Sequence, residues 1–292
     1  MFAGTHTAIV TPFRNDQIDE EALRKLVDFQ FDNGVTGVVP CGTTGESPTL
    51  DHDEHERVIK LTVEYAKDRG IVMAGTGSNS TREAVELTEE AEAAGATAIL
   101  QVAPYYNKPT PEGLFQHFKA IAQSTSLPIM LYSIPGRCGI EISIEVIARL
   151  MGACPNVRAI KEAGGNPERI SQMRQILPPG FEILSGDDSL TLPFMSVGAV
   201  GVVSVASNLI PRQISDLVKA ALAGDYKGAL AIHEQYYPLF AAFLKLATNP
   251  IPIKTAMALK GLVGPELRLP LAPMNQAKIE ELQGTLESLD LL

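Results

Sequence analysis

The chain has 292 residues, of which 45% are hydrophobic, and a formal net charge of −10. This apolar content suffices for one large core, whereas an acidic chain without a cluster of Lys and Arg lacks what phosphate binding needs, which argues against nucleic acid as a partner. Three irregularly spaced cysteines indicate neither a disulfide framework nor a zinc site, and no apolar segment reaches the roughly 20 residues of a membrane span, so we expect a cytoplasmic protein with no membrane or nucleic-acid partner.

Short runs rich in β-branched residues alternate with longer amphipathic segments, beginning with a strand at Thr7–Thr11 and a helix from Asp19 to Asn33. Gly34 follows that helix as a stop signal. The other seven predicted strands are Gly37–Cys41, Ile71–Ala74, Ala98–Ala103, Pro128–Ile134, Val157–Glu162, Phe181–Ser185 and Gly201–Val205. The other seven predicted helices are Asp51–Arg69, Ser80–Ala94, Pro111–Ser124, Ser143–Met151, Asn166–Leu177, Ser189–Val197 and Pro211–Ala223.

The predicted strands are apolar along almost their whole length, which is typical of parallel strands buried on both faces. Eight strand–helix units favour an α/β fold closed into a (β/α)8 TIM barrel over residues 1–224, with a doubly wound open sheet as the alternative. Residues 225–292 are expected to form a C-terminal helical extension packed on the barrel. Its predicted helices are Tyr226–Leu246, Ile251–Leu262 and Asn275–Leu289.

Lys161 stands at the end of the sixth predicted strand, and active sites of such barrels lie at the carboxyl ends of the strands. Period-two alternation places Val157, Ala159 and Lys161 on one face, so the lysine is expected inside the barrel among apolar groups. Burial lowers the pKa of a lysine, and a neutral amine can attack a ketone to form an imine. The alternative is a strand-end lysine that pairs with a carboxylate or reaches solvent.

Two other strand ends carry polar groups. The Gly42–Glu46 loop, Gly-Thr-Thr-Gly-Glu, follows the second strand, and its backbone N–H groups and hydroxyls can hold a carboxylate. Tyr132 ends the fifth strand and can relay protons, while Arg137 beyond it can clamp a carboxylate. The alternatives are an ordinary strand-to-helix turn for the loop and a core aromatic for Tyr132.

Two further loops are less specific. Tyr105 and Tyr106 lie between prolines after the fourth strand, which suits a rigid loop at a site or a subunit contact. Gly186-Asp187-Asp188 follows the seventh strand and favours a helix cap, because Asp is a preferred N-cap residue.

Taken together in this order, these segments resemble the dihydrodipicolinate synthases, which belong to the pyruvate-dependent N-acetylneuraminate lyase superfamily. The similarity runs from Ala8-Ile9-Val10-Thr11-Pro12 through Asn249-Pro250-Ile251-Pro252-Ile253-Lys254 to Leu267-Arg268-Leu269-Pro270. The resemblance implies that Lys161 forms a Schiff base. It further implies a catalytic proton relay of Thr44, Tyr132 and Tyr106, with Tyr106 supplied by the adjacent subunit. The implied substrate-binding residues are Thr43, Thr44, Arg137, Gly186, Val203 and Asn249.

The implied reaction condenses pyruvate with L-aspartate-4-semialdehyde in lysine and diaminopimelate biosynthesis and needs no metal or organic cofactor. The resemblance also implies a homo-oligomer, a tetramer built as a dimer of dimers, and L-lysine as an inhibitor at a dimer interface. The residues that match the inhibitory site are Ser47, His52, His55, Asn79, Glu83 and Tyr105. Pro48 stands where some relatives have alanine, and His52 and His55 also fit a solvated helix start capped by Asp51.

Three other functions remain open on the sequence. The first is another Schiff-base aldolase of the superfamily, an N-acetylneuraminate lyase or a keto-deoxy sugar acid aldolase, although Arg137 favours the semialdehyde. The second is a metal-dependent barrel enzyme, which His52 and His55 support weakly because they lie at a helix start. The third is a non-catalytic barrel, which has no need of a lysine, a tyrosine and a threonine facing one cavity.

Overall fold

Eight parallel strands close into a barrel in the computed structural model, which describes residues 1–292. Each strand pairs with its neighbours in chain order, and the last strand pairs with the first through Gly4 and Gly201. The (β/α)8 barrel predicted from the sequence is therefore confirmed. The strands are β1 Gly4–Ala8, β2 Gly37–Val39, β3 Ile71–Gly75, β4 Ala98–Val102, β5 Ile129–Ser133, β6 Val157–Glu162, β7 Glu182–Ser185 and β8 Gly201–Ser204.

Helices follow the strands and surround the barrel. The barrel helices are α1 Glu20–Asp32, α2 His52–Ala66, α3 Thr81–Ala93, α4 Pro111–Gln123, α5 Pro135–Cys138, α6 Ile144–Ala153, α7 Pro167–Ile176, α8 Thr191–Ser196 and α9 Pro211–Leu222. The C-terminal helices are α10 Tyr226–Lys245, α11 Ile251–Leu259 and α12 Gln276–Ser288. Side chains cap most helix starts: Asp51, for example, accepts from the Glu54 amide while Glu54 accepts from the Asp51 amide.

The alternation of side chains along each strand divides the core into two layers. We call the smaller layer the inner core; its members fill the barrel interior. They are Phe2, Ala8, Val39, Met73, Ala98, Leu100, Met130, Tyr132, Ala159, Leu184 and Val203. The larger layer lies between the strands and the helices and includes Val38, Ile99 and Ile160.

The structure differs from the sequence-based prediction at the first strand, which spans Gly4–Ala8 rather than Thr7–Thr11. The apolar run continues beyond the strand because the chain stays buried as it leaves the barrel. The Val10 amide donates to the Asn208 side chain instead of a neighbouring strand. A two-strand hairpin, Phe13–Arg14 with Gln17–Ile18, follows and was not predicted.

Val157 was predicted on the inward face and lies instead in the outer layer of the core. The pairing of β5 with β6 shifts register between Ile129 and Met130, so that Ile129 faces Val157 while Met130 faces Ala159. This irregularity reverses the orientation of Val157 without changing that of Ala159, which remains in the inner core.

The C-terminal helices pack on the barrel as expected, and α10 contributes Leu239, Phe240 and Phe243 to the same hydrophobic core as the barrel helices. Because that core is continuous, the division of the chain after residue 224 stays a prediction. None of the helices combines the length and apolar character that crossing a membrane requires.

Candidate active site

Lys161 lies near the carboxyl end of β6 with its side chain in the barrel interior. It stands in register with Tyr132 on β5 and Leu184 on β7, which are both inner-core residues, and only 5% of it is exposed. Its amine lies 4.2 Å from the centre of the Tyr132 ring. The face that alternation predicted for Lys161 is therefore the face it occupies.

Burial lowers the pKa of Lys161 to about 8, which makes the neutral amine accessible near physiological pH. Asp188 opposes this shift, since a nearby negative charge favours the ammonium form, and Arg137 reinforces it. No hydrogen bond contributes to the shift. The amine is thus buried and forms no ion pair with a carboxylate, which favours the neutral form that attack on a carbonyl requires.

A second buried lysine, Lys254 on α11, provides the contrast. Its side chain is 1% exposed, and its amine forms an ion pair with Glu46 at 2.5 Å and donates to the Thr11 carbonyl at 3.0 Å. Both contacts hold the ammonium form in place. Of the two buried lysines, Lys161 is the one with an amine available for chemistry.

Tyr132 is buried beside Lys161, and burial raises the pKa of its phenol well above the ordinary value. The phenol therefore stays protonated at neutral pH and can donate a proton. Arg137 and the Thr43 side chain lower this pKa, but by less than burial raises it.

The Gly42–Glu46 loop lies next to these groups at the end of β2. Thr43 and Thr44 line the same cavity as Lys161, and their backbone amides donate no hydrogen bond within the chain. The Asn249 side chain donates to the Thr44 hydroxyl at 3.0 Å, while its own amide oxygen is buried without a partner. The loop thus offers free N–H donors at the cavity wall, as an anion site requires.

Arg137 and Gly186 also line this cavity, which has a volume of about 250 Å³. Arg137 lies on α5 and donates to the Asn249 carbonyl at 3.1 Å. A Cβ at Gly186 would lie 2.7 Å from the Ala163 Cβ and 3.1 Å from the Lys161 Cε, so only glycine leaves the lysine room. Val203 lies in the inner core, and Val205 is the valine that lines the cavity.

Sequence analysis missed two contributions to this cavity. Asp188, interpreted only as part of a helix cap, is a buried cavity residue that accepts from the Ser204 hydroxyl and from the Val205 and Ala206 amides. Burial raises the pKa of Asp188 to about 6. From the C-terminal segment, Phe243 and its neighbours on α10 cover the cavity, and no local signal in the sequence indicates that contact.

Comparison with known proteins agrees with this site. Residues 1–289 match the model of the dihydrodipicolinate synthetase family. The chain is 51% identical to the 4-hydroxy-tetrahydrodipicolinate synthase of Sulfurihydrogenibium sp. (strain YO3AOP1), with each protein covered over its full length. The chain belongs to the dihydrodipicolinate synthetase family. It is accordingly an enzyme, a lyase of lysine biosynthesis.

Solved structures of dihydrodipicolinate synthetase family members superpose on the whole chain. The 4-hydroxy-tetrahydrodipicolinate synthase of Methylacidiphilum fumariolicum SolV gives a TM-score of 0.98 at 53% identity and covers 99% of this chain and 96% of its own. The enzyme of Cyanidioschyzon merolae, solved with lysine bound, gives 0.95 at 40% identity over 100% of this chain and 99% of its own.

A separate cavity of about 220 Å³ brings together most residues that the family resemblance assigned to inhibition. Its walls include Ser47, His52, His55, Glu83 and Tyr105. The sixth, Asn79, does not line the cavity, but its side chain donates to the carbonyl of the lining residue Tyr105 at 3.2 Å. Five of the six residues therefore line one cavity, which shares no lining residue with the Lys161 cavity.

Glu83 is the charged group of this second cavity. Its carboxylate accepts from the Ser78 hydroxyl and lies 3.1 Å from the His52 ring, and these contacts lower its pKa. His55 is buried, and its ring bonds to the Gly75 carbonyl at 2.9 Å. The two histidines thus have different partners and do not converge on a shared metal position.

Tyr106 is placed away from the cavity of its own chain. It is 90% exposed and does not line the Lys161 cavity, whereas Tyr105 before it turns toward the second cavity. The backbone at Tyr106 has a positive φ of 71°. A phenol so exposed is accessible to a neighbouring subunit.

Proposed function

We propose that this dihydrodipicolinate synthetase family member condenses pyruvate with L-aspartate-4-semialdehyde through an imine on Lys161. The observation that carries the proposal is the buried, unpaired Lys161 amine, with a pKa of about 8, beside the Tyr132 phenol and free backbone amides. Each of these groups suits one requirement of enamine chemistry on a 2-keto acid.

Pyruvate binds with its carboxylate on the amides and hydroxyls of Thr43 and Thr44, which places its ketone toward Lys161. The neutral amine attacks this carbonyl, and loss of water gives the imine. The imine withdraws electrons, so the methyl group loses a proton and becomes a nucleophilic enamine. Tyr132, with Thr44 and the partner phenol of Tyr106, serves as the proton relay for these steps.

The second substrate enters past Arg137, whose guanidinium at the cavity mouth binds the carboxylate of the semialdehyde. The Asn249 amide oxygen, which lacks a partner in the chain, is an acceptor for its amine. The enamine attacks the aldehyde, and the amine then displaces Lys161 to close the ring. The product is 4-hydroxy-tetrahydrodipicolinate, and the free lysine returns for another cycle.

We also propose that L-lysine binds the second cavity and lowers the rate. The carboxylate of Glu83 suits an ammonium group, and the polar walls from Ser47 and His52 suit the amino-acid end. The Cyanidioschyzon merolae relative, solved with lysine bound, supports a lysine ligand in this family. A third cavity of about 230 Å³ lies between the two sites: it shares Ser47 and Tyr105 with the second cavity, and Thr43 and Tyr132 with the catalytic cavity. These shared residues connect the proposed lysine site to the catalytic groups.

Borohydride reduction in the presence of pyruvate tests the catalytic proposal. We expect a stable three-carbon adduct on Lys161 in the mapped peptides and none on Lys254, because the Lys254 amine is paired. Lys161→Arg should remove the adduct and lower the condensation rate by at least about a thousandfold, since arginine forms no imine. Absence of an adduct on Lys161 in the unmodified enzyme would refute the proposal.

A further inference from the structure

The buried ion pair between Glu46 and Lys254 lies outside the reacting groups, yet it anchors the end of the loop that carries Thr43 and Thr44. We propose that this pair is a positioning device: it holds the Gly42–Glu46 loop at the distance from Lys161 at which the loop amides receive the pyruvate carboxylate. The inference rests on the proposed function, because it assigns a cause to the geometry of the same site.

The pair itself is fully enclosed. Glu46 and Lys254 are 0% and 1% exposed, and their charged atoms lie 2.5 Å apart. Lys254 also donates to the Thr11 carbonyl at 3.0 Å, and the second oxygen of Glu46 accepts from the Arg268 amide at 3.2 Å. Burial lowers the pKa of Lys254 while Glu46 opposes that shift, which stabilises the charged pair.

The loop is attached to the same C-terminal segment at a second point. Asn249, which precedes the Pro250 cap of α11, donates to the Thr44 hydroxyl, and Lys254 lies in the first turn of α11. The Lys254 amide donates to the Pro250 carbonyl at 3.0 Å, so the helical turn that carries Lys254 begins directly after Asn249. The barrel therefore meets the C-terminal helices at two fixed points of the loop, Thr44 and Glu46.

The loop backbone has an unusual conformation at Glu46, the residue that forms the ion pair. Glu46 has a φ of 56°, in the left-handed region that a residue with a side chain seldom adopts. The Thr11 hydroxyl holds the preceding Gly45 carbonyl at 2.7 Å. A buried apolar pair of similar volume often gives equal stability, so the ion pair is better explained by what it fixes than by what it stabilises.

Loss of either charge leaves its partner unpaired in the core, so the loop end must move to let water or another group reach that partner. A shift of about 1 Å in a binding group can cost on the order of a hundredfold in rate. Lys254→Met and Glu46→Gln should each raise KM for pyruvate by about tenfold or more, with a smaller effect on kcat at saturation. The double variant should resemble the single variants, because both act through one pair.

The test combines steady-state kinetics with borohydride trapping of pyruvate on Lys161 as a function of pH. Neither Glu46 nor Lys254 contributes to the pKa shift of Lys161, so the variants should keep the pH midpoint of trapping while requiring more pyruvate. Lys278→Met is the matched control. It removes a lysine that donates to the Leu246 carbonyl in the same C-terminal region without touching the loop, and it should leave KM unchanged.

A folded Lys254→Met or Glu46→Gln enzyme with unchanged KM for pyruvate would overturn the inference. If both variants fail to fold, Glu46→Asp decides, because it keeps the charge and withdraws it by one methylene; KM should again rise, and an unchanged KM would overturn the inference. Failure of the unmodified enzyme to trap pyruvate on Lys161 would instead refute the proposed function, so the two failures are distinguishable.

Discussion

At the scale of single residues, burial and a neighbouring charge act in opposite directions on the pKa of the Lys161 amine. Burial is the largest influence and lowers the pKa, while Asp188 is the next and raises it. Asp188 is itself held by three donors, which keep part of its charge despite burial. A partly neutral amine suits the imine chemistry that we propose, and the nearby Asp188 carboxylate suits the iminium ion that this chemistry would form.

This balance makes a prediction for pH. With a pKa of about 8, the neutral fraction of Lys161 is roughly one tenth at pH 7 and rises with pH, so the rate of borohydride trapping should increase with a midpoint near pH 8. Asp188→Asn removes a charge that raises this pKa, so the midpoint should move to lower pH. Trapping rates measured from pH 6 to about pH 10 check this.

Asp187→Asn is the control for that measurement, because Asp187 contributes least among the groups that shift the pKa of Lys161. It should move the midpoint less than Asp188→Asn does. A midpoint that stays in place or moves upward in Asp188→Asn would contradict the electrostatic account of the site.

At the scale of elements, the sequence predicted strands and helices well where hydrophobic periodicity was strong and bounded by turn residues. The strand at Val157–Glu162 has the predicted ends, since Asn156 precedes it and glycines follow soon after. The first strand was predicted too far along the chain, because Ile9 and Val10 are buried without being in the sheet. Burial and strand structure have the same local signature, so periodicity could not separate them.

The site was predictable only in part for a related reason. Lys161, Tyr132 and the Gly42–Glu46 loop lie at strand ends, where the barrel rule directs attention. Asp188 looks the same in sequence as a cap residue such as Asp187, which does accept from the Ser189 amide. The Glu46–Lys254 contact joins residues 208 positions apart, and no local pattern encodes such a pairing.

The second cavity, which Glu83 and His52 line, leads to a separate prediction. Millimolar L-lysine should lower the condensation rate, and Glu83→Gln should weaken that inhibition by about tenfold or more, because a neutral amide replaces the carboxylate that meets the ammonium group. The rate without lysine should stay unchanged, since Glu83 does not line the catalytic cavity. Inhibition curves for both proteins provide the measurement.

Glu86→Gln is the matched control, because Glu86 lies on the same helix and pairs only loosely with Arg82 at the surface. Its inhibition by lysine should equal that of the unmodified enzyme. A rate that does not respond to millimolar L-lysine in the unmodified enzyme would remove the second cavity as an inhibitory site.

At the scale of the whole molecule, the proposed proton relay is incomplete within one chain. Lys161, Tyr132 and Thr44 line one cavity, but Tyr106 projects to solvent on the loop after β4. A second copy related by two-fold symmetry can bring its own Tyr106 to this cavity while receiving the same residue in return. The catalytic unit we propose is therefore at least a dimer.

Mixing two inactive variants tests whether Tyr106 acts in the neighbouring subunit. Lys161→Ala and Tyr106→Phe should each lower activity strongly as pure proteins. In a mixed dimer, one site combines both substitutions, but the other joins an intact Lys161 from one chain to an intact Tyr106 from its partner. After unfolding and refolding of an equimolar mixture, half the dimers are mixed with one intact site each, so about a quarter of the normal activity should return. Each variant refolded alone is the control, and mixtures no more active than those controls would place Tyr106 outside the reaction of the adjacent subunit.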